Sequence, residues 1–295
     1  MSKFLTRGFA MLFDQITPFV RFTAEQDLSN CWSNDGKEIV GYDHRIYYVL
    51  KGHGSLNVGD KTYDLQPDTF IMWRAGTPYS YFTQKEDAMI CITCNFDFTT
   101  VSNDKRTPIA PSLRKKFNPK GLLEEKIVFS DYPPFNDIVF LPNSPTIRPL
   151  MIKLEETYSK KQKFYSLRCN NILQEILIKL AYQTDEILSR SNELVADILD
   201  YIREHFRETP TNEEVGAKFG YHPNYVNALL VKHTKTSLHK HVLDAKLTYA
   251  VQQLLTSNKS IKEIADEINI PDTQYFSRLF KKHYQKTPSQ FRLNK

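Results

Sequence analysis

Asn224-Tyr-Val-Asn-Ala-Leu-Leu-Val-Lys-His233 recurs fifty positions downstream as Gln274-Tyr-Phe-Ser-Arg-Leu-Phe-Lys-Lys-His283, with Tyr, Leu, Lys and His kept in place. Self-similarity at a fixed spacing marks a duplicated structural unit. Each copy follows a capping-box pattern, Thr211-x-x-Glu214 in the first and Ser260-x-x-Glu263 in the second, in which hydroxyl and carboxylate satisfy the free N–H groups that open a helix. In the first unit Val215 and Phe219 form the apolar face of the leading helix, Gly220 permits a turn, and Pro223 sits where the next helix begins. In the second, Ile264, Ala265 and Ile268 are placed to pack and Asp272 is an N-cap candidate. Both copies read helix, turn, helix.

Winding the second helix of each unit at ~3.6 residues per turn turns Phe276, Leu279 and Phe280 inward and leaves Thr273, Gln274, Ser277, Arg278 and Lys281 outward. The same winding puts Asn224, Asn227, Ala228 and Val231 outward on the first unit. Amides pair bidentately with adenine, guanidinium with guanine, and apolar groups touch the thymine methyl. A polar solvent face would look similar on either helix alone, but two matched units with amide and basic faces in register point to double-stranded DNA. From Thr273 onward the charged residues are Arg278, Lys281, Lys282, Lys286, Arg292 and Lys295, without a carboxylate. Lys232, Lys281 and Lys282 are assigned to phosphate, where a cation positions a protein without reading sequence. The overall charge of +5 would not by itself imply this partner.

Ser260-Ile-Lys-Glu-Ile-Ala265, Tyr275-Phe-Ser-Arg-Leu-Phe-Lys-Lys282 and Lys286-Thr-Pro-Ser-Gln-Phe-Arg292 together resemble the signature of the AraC/XylS family over about the last hundred residues. The resemblance implies a transcription regulator with seven helices in this domain. A long helix, here about Leu238 to Leu255, would join the units, and both reading helices would enter successive major grooves. It places Asn224, Asn227, Ala228, Thr273, Gln274 and Arg278 against base edges. Four positions depart from the pattern: Asn269-Ile270 stands where Gly-Phe is usual, Gln285 where Gly is usual, and Gly216 where Ala is usual. His233, His239, His241 and His283 lack an accompanying cysteine and two belong to the repeat, so no zinc is expected.

The 295 residues suggest two domains at roughly 100–200 residues each. Hydrophobic content of 41% and charged content of 25% are ordinary for a globular protein. No apolar run reaches the ~18 residues of a membrane span. Lys3 and Arg7 precede an apolar patch, but Asp14 and Gln15 interrupt it and no cleavage site follows, so an ordered arm is expected rather than a signal peptide. Cys31, Cys91, Cys94 and Cys169 are few and scattered, which fits a reducing cytoplasm. Cys91 and Cys94 have redox or zinc spacing, yet in a strand they point to opposite faces, so both are read as core cysteines.

Arg45–Leu50, Leu56–Val58, Thr62–Leu65 and Thr69–Trp73, separated by Gly and Pro turns, read as an antiparallel sandwich or barrel. Prolines 108, 111, 119, 133, 134, 142, 145 and 149 then mark irregular chain expected to pack across it. Helical periodicity follows: Leu150, Leu154 and Tyr158 on one face, then the stripe Leu173, Ile176, Leu177 and Leu180, read either as capping the barrel or as a dimer seam. Polar residues 183–192 read as a linker.

The strand region resembles a cupin-type barrel, resting on Tyr48-Val-Leu-Lys-Gly52 and Asp64-Leu-Gln-Pro-Asp68. The resemblance places Arg45 at the usual ligand glutamate and Tyr79 at the last ligand histidine; an Arg offers no lone pair to a metal, so neither a metal nor an enzyme is expected. If Arg45 faces inward, Tyr47 shares its face, and a cation ringed by phenols would hold a carboxylate, phosphate or sugar hydroxyl. The alternative is that Arg45 pairs with a carboxylate of the barrel itself. Trp32, Trp73 and Tyr81 are weighed between stacking on a sugar and filling the core; the candidate ligand set is Arg45, Tyr47, Tyr79, Tyr81 and Trp32.

The expected architecture is therefore multidomain: an all-β cupin-like barrel with an N-terminal arm (1–145), a helical pair as candidate dimerisation element (146–182), a linker (183–192) and an all-α double helix-turn-helix domain (193–295). The expected partners are double-stranded DNA, a small-molecule effector (sugar or organic acid), a second copy of the chain and RNA polymerase, the chain acting as an activator in the cytoplasm. No cofactor and no membrane are expected.

Overall fold

A computed structural model describes residues 8–28, 37–83, 85–100 and 107–293. Lys3, Arg7, Cys31, Trp32 and Lys295 lie outside the described residues. The chain divides into two compact units, one ending at Thr184 and one starting at Asp185.

The first unit is built on twelve strands among the described residues: β1 (Phe9–Met11), β2 (Phe19–Asp27), β3 (Ile39–Val40), β4 (His44–Lys51), β5 (Gly54–Val58), β6 (Lys61–Leu65), β7 (Phe70–Trp73), β8 (Pro78–Thr83), β9 (Ile90–Asp97), β10 (Ser112–Leu113), β11 (Ile127–Phe129) and β12 (Val139–Leu141). They form two five-stranded sheets, ordered β10-β3-β8-β5-β6 and β12-β7-β4-β9-β2, with β1 pairing β11 separately. Neither sheet closes on itself, so the expected barrel is a sandwich of two open sheets. The proline-rich stretch crosses it as expected, but it also lends β10 to β3 and β12 to β7 as edge strands. Local period gave no sign of these because each is only two or three residues long.

Strand alternation sorts the β4-β7-β9 sheet into two faces. One face, with Tyr47, Val49, Ile71, Trp73 and Cys91, packs with Leu56, Val58, Leu65 and Tyr79 of the other sheet. The opposite face, with Ile46, Tyr48, Phe70, Met72, Cys94 and Phe96, packs on two helices. These are α1 (Arg148–Lys160) and the first half of α2 (Tyr165–His205). Cys91 and Cys94 thus enter separate cores on opposite faces, and burial pushes the Cys91 thiol up to about 12 and the Cys94 thiol well above its ordinary value. Both are inert packing residues.

Leu173, Ile176, Leu177 and Leu180 are fully buried against the sheet, so this stripe caps the sandwich, the first of the two readings of the sequence. The boundary between the two units, after Thr184, falls within residues 183–192, expected as a linker, but these residues are helical and lie inside α2. Polarity alone does not stop a helix; this stretch holds no Gly or Pro and gains Arg190–Glu186 at 2.5 Å and Ser189 Oγ donating to Glu193 at 3.3 Å, both four residues apart.

The second unit contains the end of α2, then α3 (Asn212–Phe219), α4 (Pro223–Thr234), α5 (Leu238–Thr256), α6 (Ile261–Glu267), α7 (Thr273–Tyr284) and α8 (Pro288–Leu293). These are the seven helices the family resemblance implies, counted among the described residues. They bury two separate cores. One gathers Ile198, Ile202, Val215, Val226, Leu230, Leu238 and Val242; the other gathers Leu247, Ala250, Leu254, Ile264, Ala265, Ile268, Phe276 and Phe280. Helix α5 contributes to both.

Candidate functional site

Both reading helices are held by local chemistry that the sequence specifies. Thr211 Oγ1 accepts from Glu214 N–H at 3.2 Å while Thr211 N–H donates to Glu214 at 2.8 Å. Ser260 and Glu263 repeat the exchange at 3.1 and 2.6 Å. Gly220 ends α3 in the left-handed region, φ +75°. Helix α4 then opens on Pro223, with His222 Nδ1 accepting from Asn224 N–H at 3.3 Å. Helix α7 opens on Asp272, whose carboxylate accepts from Gln274 and Tyr275 N–H at 2.9 and 3.0 Å, fixing Gln274 at the first turn.

The inward residues are Val226, Leu229 and Leu230 on α4 and Phe276 and Phe280 on α7, all buried. Asn224, Ala228 and Lys232 of α4 are exposed, as are Gln274, Arg278, Lys281 and Lys282 of α7, and Thr273 is half-buried. Exposed Tyr225 and Tyr275 occupy equivalent positions of the two helices. Asn227 is half-buried, and its Oδ1 accepts from Leu238 N–H at 3.1 Å, closing an orphan donor at the start of α5. Asn227 thus ties α4 to α5 with one lone pair of its amide oxygen, and that oxygen has a second. The sequence shows the amide but not that a helix N-terminus lies eleven residues on within reach.

The departures from the family pattern are accommodated by the backbone. Asn269 and Gln285 adopt φ +54° and +61°, the left-handed region that glycine would otherwise fill and that Asn enters more readily than most side chains. At Gly216 a Cβ would lie 2.7 Å from the Tyr221 carbonyl oxygen and 3.2 Å from the Pro223 nitrogen. Gly216→Ala is expected to destabilise the unit by about 1 kcal/mol or more, the strain of overpacking exceeding the helix-propensity gain; a urea unfolding midpoint that rises would contradict this.

Lys246 drew no notice in the sequence reading. It is only 4% exposed and donates to Thr209 Oγ1 at 2.6 Å and to the Asn269 carbonyl at 3.4 Å. Burial lowers its pKa. The signal was present: Lys246 lies four residues from both Val242 and Ala250, on the buried face of α5.

In the first unit, a cavity of about 390 Å³ opens between the sheets, lined by Arg45, Tyr47, Tyr79, Tyr81, Thr93 and Asn95 among others, with residues 108–111 at its side. Register explains the grouping. Arg45 pairs with Asn95 and Tyr47 with Thr93 across β4 and β9, so all four share the inner face. Tyr79 and Tyr81 come from β8 in the facing sheet. Four of the five candidate ligand residues therefore line one cavity. Trp73 packs at 4.9 Å from the Tyr79 ring and is core.

Arg45 is not a bare cation, since its Nη2 lies 3.1 Å from Asp43 Oδ1, and the buried pair Arg21–Asp97 lies at 2.6 Å. These are two guanidinium and two carboxyl groups on the inner end of one sheet. Burial pushes Asp97 up to about 7 and raises Asp43 despite the neighbouring arginines. Neither N-terminal histidine enters the cavity. His44 hydrogen-bonds Glu124 at 2.8 Å and burial lowers its pKa; His53 is exposed beside Asp87.

The fold and geometry of the second unit define a helix-turn-helix class, with two such motifs in tandem. Residues 215–294 match the family model described as a helix-turn-helix domain. The chain is 33% identical over 104 residues to the uncharacterized helix-turn-helix-type transcriptional regulator YijO of Escherichia coli K12, covering 35% of this chain and 37% of that protein. It is 23% identical over 267 residues to YdiP of the same organism, similarly described, covering 87% and 80%. Among solved structures, the C-terminal domain of the response regulator AraT of Geobacillus stearothermophilus is 26% identical, with a TM-score of 0.33, covering 35% of this chain and 85% of that one. The C-terminal part of the chain is thus similar to the helix-turn-helix domains of transcriptional regulators. No helix among the described residues is long and apolar enough to cross a membrane.

Proposed function

We propose that this protein is a transcription regulator that reads double-stranded DNA with α4 and α7 and changes its engagement when a small polyhydroxylated ligand fills the inter-sheet cavity. The observation that carries the DNA reading is the duplicated unit. Its two capped helices expose Asn224 and Ala228, then Gln274 and Arg278, with lysines one turn further on at equivalent positions. Asn224, Asn227, Ala228, Thr273, Gln274 and Arg278 are assigned to bases, and Lys232, Lys281 and Lys282 to phosphate. Repeated selection of bound duplex from a random-sequence pool tests this. Enrichment of a two-box motif is expected, and a pool that stays random after several rounds would overturn it.

For the cavity, charge decides between ligand classes. Asp43 already balances Arg45, which removes the net attraction an anion would need, while the three tyrosines, Thr93 and Asn95 offer hydroxyl and amide partners. A sugar fits this set better than an organic acid. The cupin-type likeness of the sandwich, a second copy of the chain, polymerase contact and the sign of regulation rest on the family resemblance alone. A ligand can act only by favouring one conformation over another. Asn95→Leu is expected to abolish thermal stabilisation by the bound sugar, about 2.7 kcal/mol at a hundredfold excess over Kd, while leaving DNA affinity within twofold. A screen in which organic acids raise the melting temperature and sugars do not would contradict the assignment.

A further inference from the structure

The two cores of the second unit share helix α5 but do not merge: its Leu238 and Val242 serve the first, its Leu247, Ala250 and Leu254 the second. Between them lies a cavity of about 340 Å³, bordered by Thr209, Leu238, Val242, Lys246, Ile270 and Tyr275 among others. Close packing therefore does not fix one helix-turn-helix motif against the other at this junction. A polar knot stands there instead. Lys246, on α5 at the seam of the cores, donates to Thr209 Oγ1 at 2.6 Å and to the Asn269 carbonyl at 3.4 Å, and Asn269 Nδ2 reaches the same Thr209 hydroxyl at 3.4 Å. Thr209 precedes the first motif and Asn269 lies in the turn of the second.

Backbone strain marks this junction. Thr209 has φ +59° and is the β-branched residue among the described non-glycine residues with positive φ; Asn269, at φ +54°, enters this region more readily. A β-branched residue in the left-handed region is strained, and such strain persists only where the surroundings hold it. Burying a lysine against neutral oxygens alone is likewise costly. Both unfavourable features meet at one hydroxyl, and a flexible turn or an apolar α5 would have been easier to build.

We propose that Lys246 is a positioning residue that, through Thr209 and Asn269, sets the separation and pitch of α4 and α7 and so the spacing of the two DNA boxes the chain accepts. This rests on the DNA reading proposed above. Lys246→Met keeps the stem and removes the donor. Lys246→Arg keeps a donor. Thr209→Gly removes the central acceptor while relieving the backbone, which preserves the fold should the methionine variant not be stable. The probe is a set of duplexes carrying the two boxes selected by the unsubstituted chain, separated by the native spacing or by one to four base pairs more or fewer.

The unsubstituted protein and Lys246→Arg are expected to bind one spacing at least tenfold better than its neighbours. Lys246→Met and Thr209→Gly are expected to flatten that preference to threefold or less, with each single box bound as before and thermal melting still cooperative. An unchanged spacing preference in folded Lys246→Met or Thr209→Gly would overturn the inference while leaving the DNA reading intact. Failure of the unsubstituted chain to select any boxes would overturn both.

Discussion

Arg278→Ala is expected to erase discrimination at a single base pair, by about 1–3 kcal/mol or roughly 5- to 150-fold, while changing affinity for the remaining positions little. Arg278 is exposed on the outward face of α7, one turn beyond Gln274, and the aligned residue of the first motif is Ala228, also exposed. The guanidinium is thus one of the features by which the second motif differs chemically from the first, together with Lys281 opposite Val231, since an alanine offers only a methyl contact and close approach. Lys282→Ala should behave differently. Its ammonium lies one turn beyond Arg278, where phosphate is the natural partner, so all sequences should weaken alike and the salt dependence should fall by about one unit of slope. Binding of both variants to single-base mutants of the selected site, at several salt concentrations, separates the two behaviours. Equal loss at every position for Arg278→Ala would mean that it holds phosphate and reads nothing.

Leu177→Asp is expected to unfold the N-terminal unit. Leu177 is fully buried where α2 packs on the β4-β7-β9 sheet. A carboxylate there has no partner, and the lost apolar contact adds to the cost of an unpaired buried charge, together about 4 kcal/mol or more. That is a large fraction of the stability of an ordinary domain. Urea unfolding and near-ultraviolet circular dichroism check it. A variant that keeps its melting temperature would show the stripe to be solvated. The exposed apolar residues of the same helix, Leu167, Ile178, Tyr182 and Ile187, lie apart from that stripe.

The second domain was the more legible in sequence because its determinants are local. Capping boxes, Pro223, Asp272 and a 3.6-residue period act within a few residues of themselves, and each was found where the sequence put it. What stayed hidden was long-range: Asn227 caps a helix eleven residues away, and Lys246 joins residues 37 positions before it and 23 after it. In the first unit alternation groups Arg45 with Tyr47, while Tyr79 follows from the cupin resemblance and Tyr81 from its aromatic character. Alternation gives no account of partners across the fold. Pairing of Arg45 with a barrel carboxylate is one of the two sequence alternatives, and Asp43 is the carboxylate beside it, whereas the Arg21–Asp97 pair joins β2 to β9 with no local sequence signal. Helix continuity through 183–192 was missed because polar composition was taken for irregularity.

The central claim is that two helices of one chain read DNA together. Hydroxyl-radical footprinting of the unsubstituted protein on its selected duplex tests this most directly. Two recognition helices in successive major grooves should protect two tracts on one face of the duplex, about one helical turn or 10 base pairs apart, and Arg278→Ala should alter only the tract read by α7. A single protected tract, or protection spread evenly along the duplex, would contradict it.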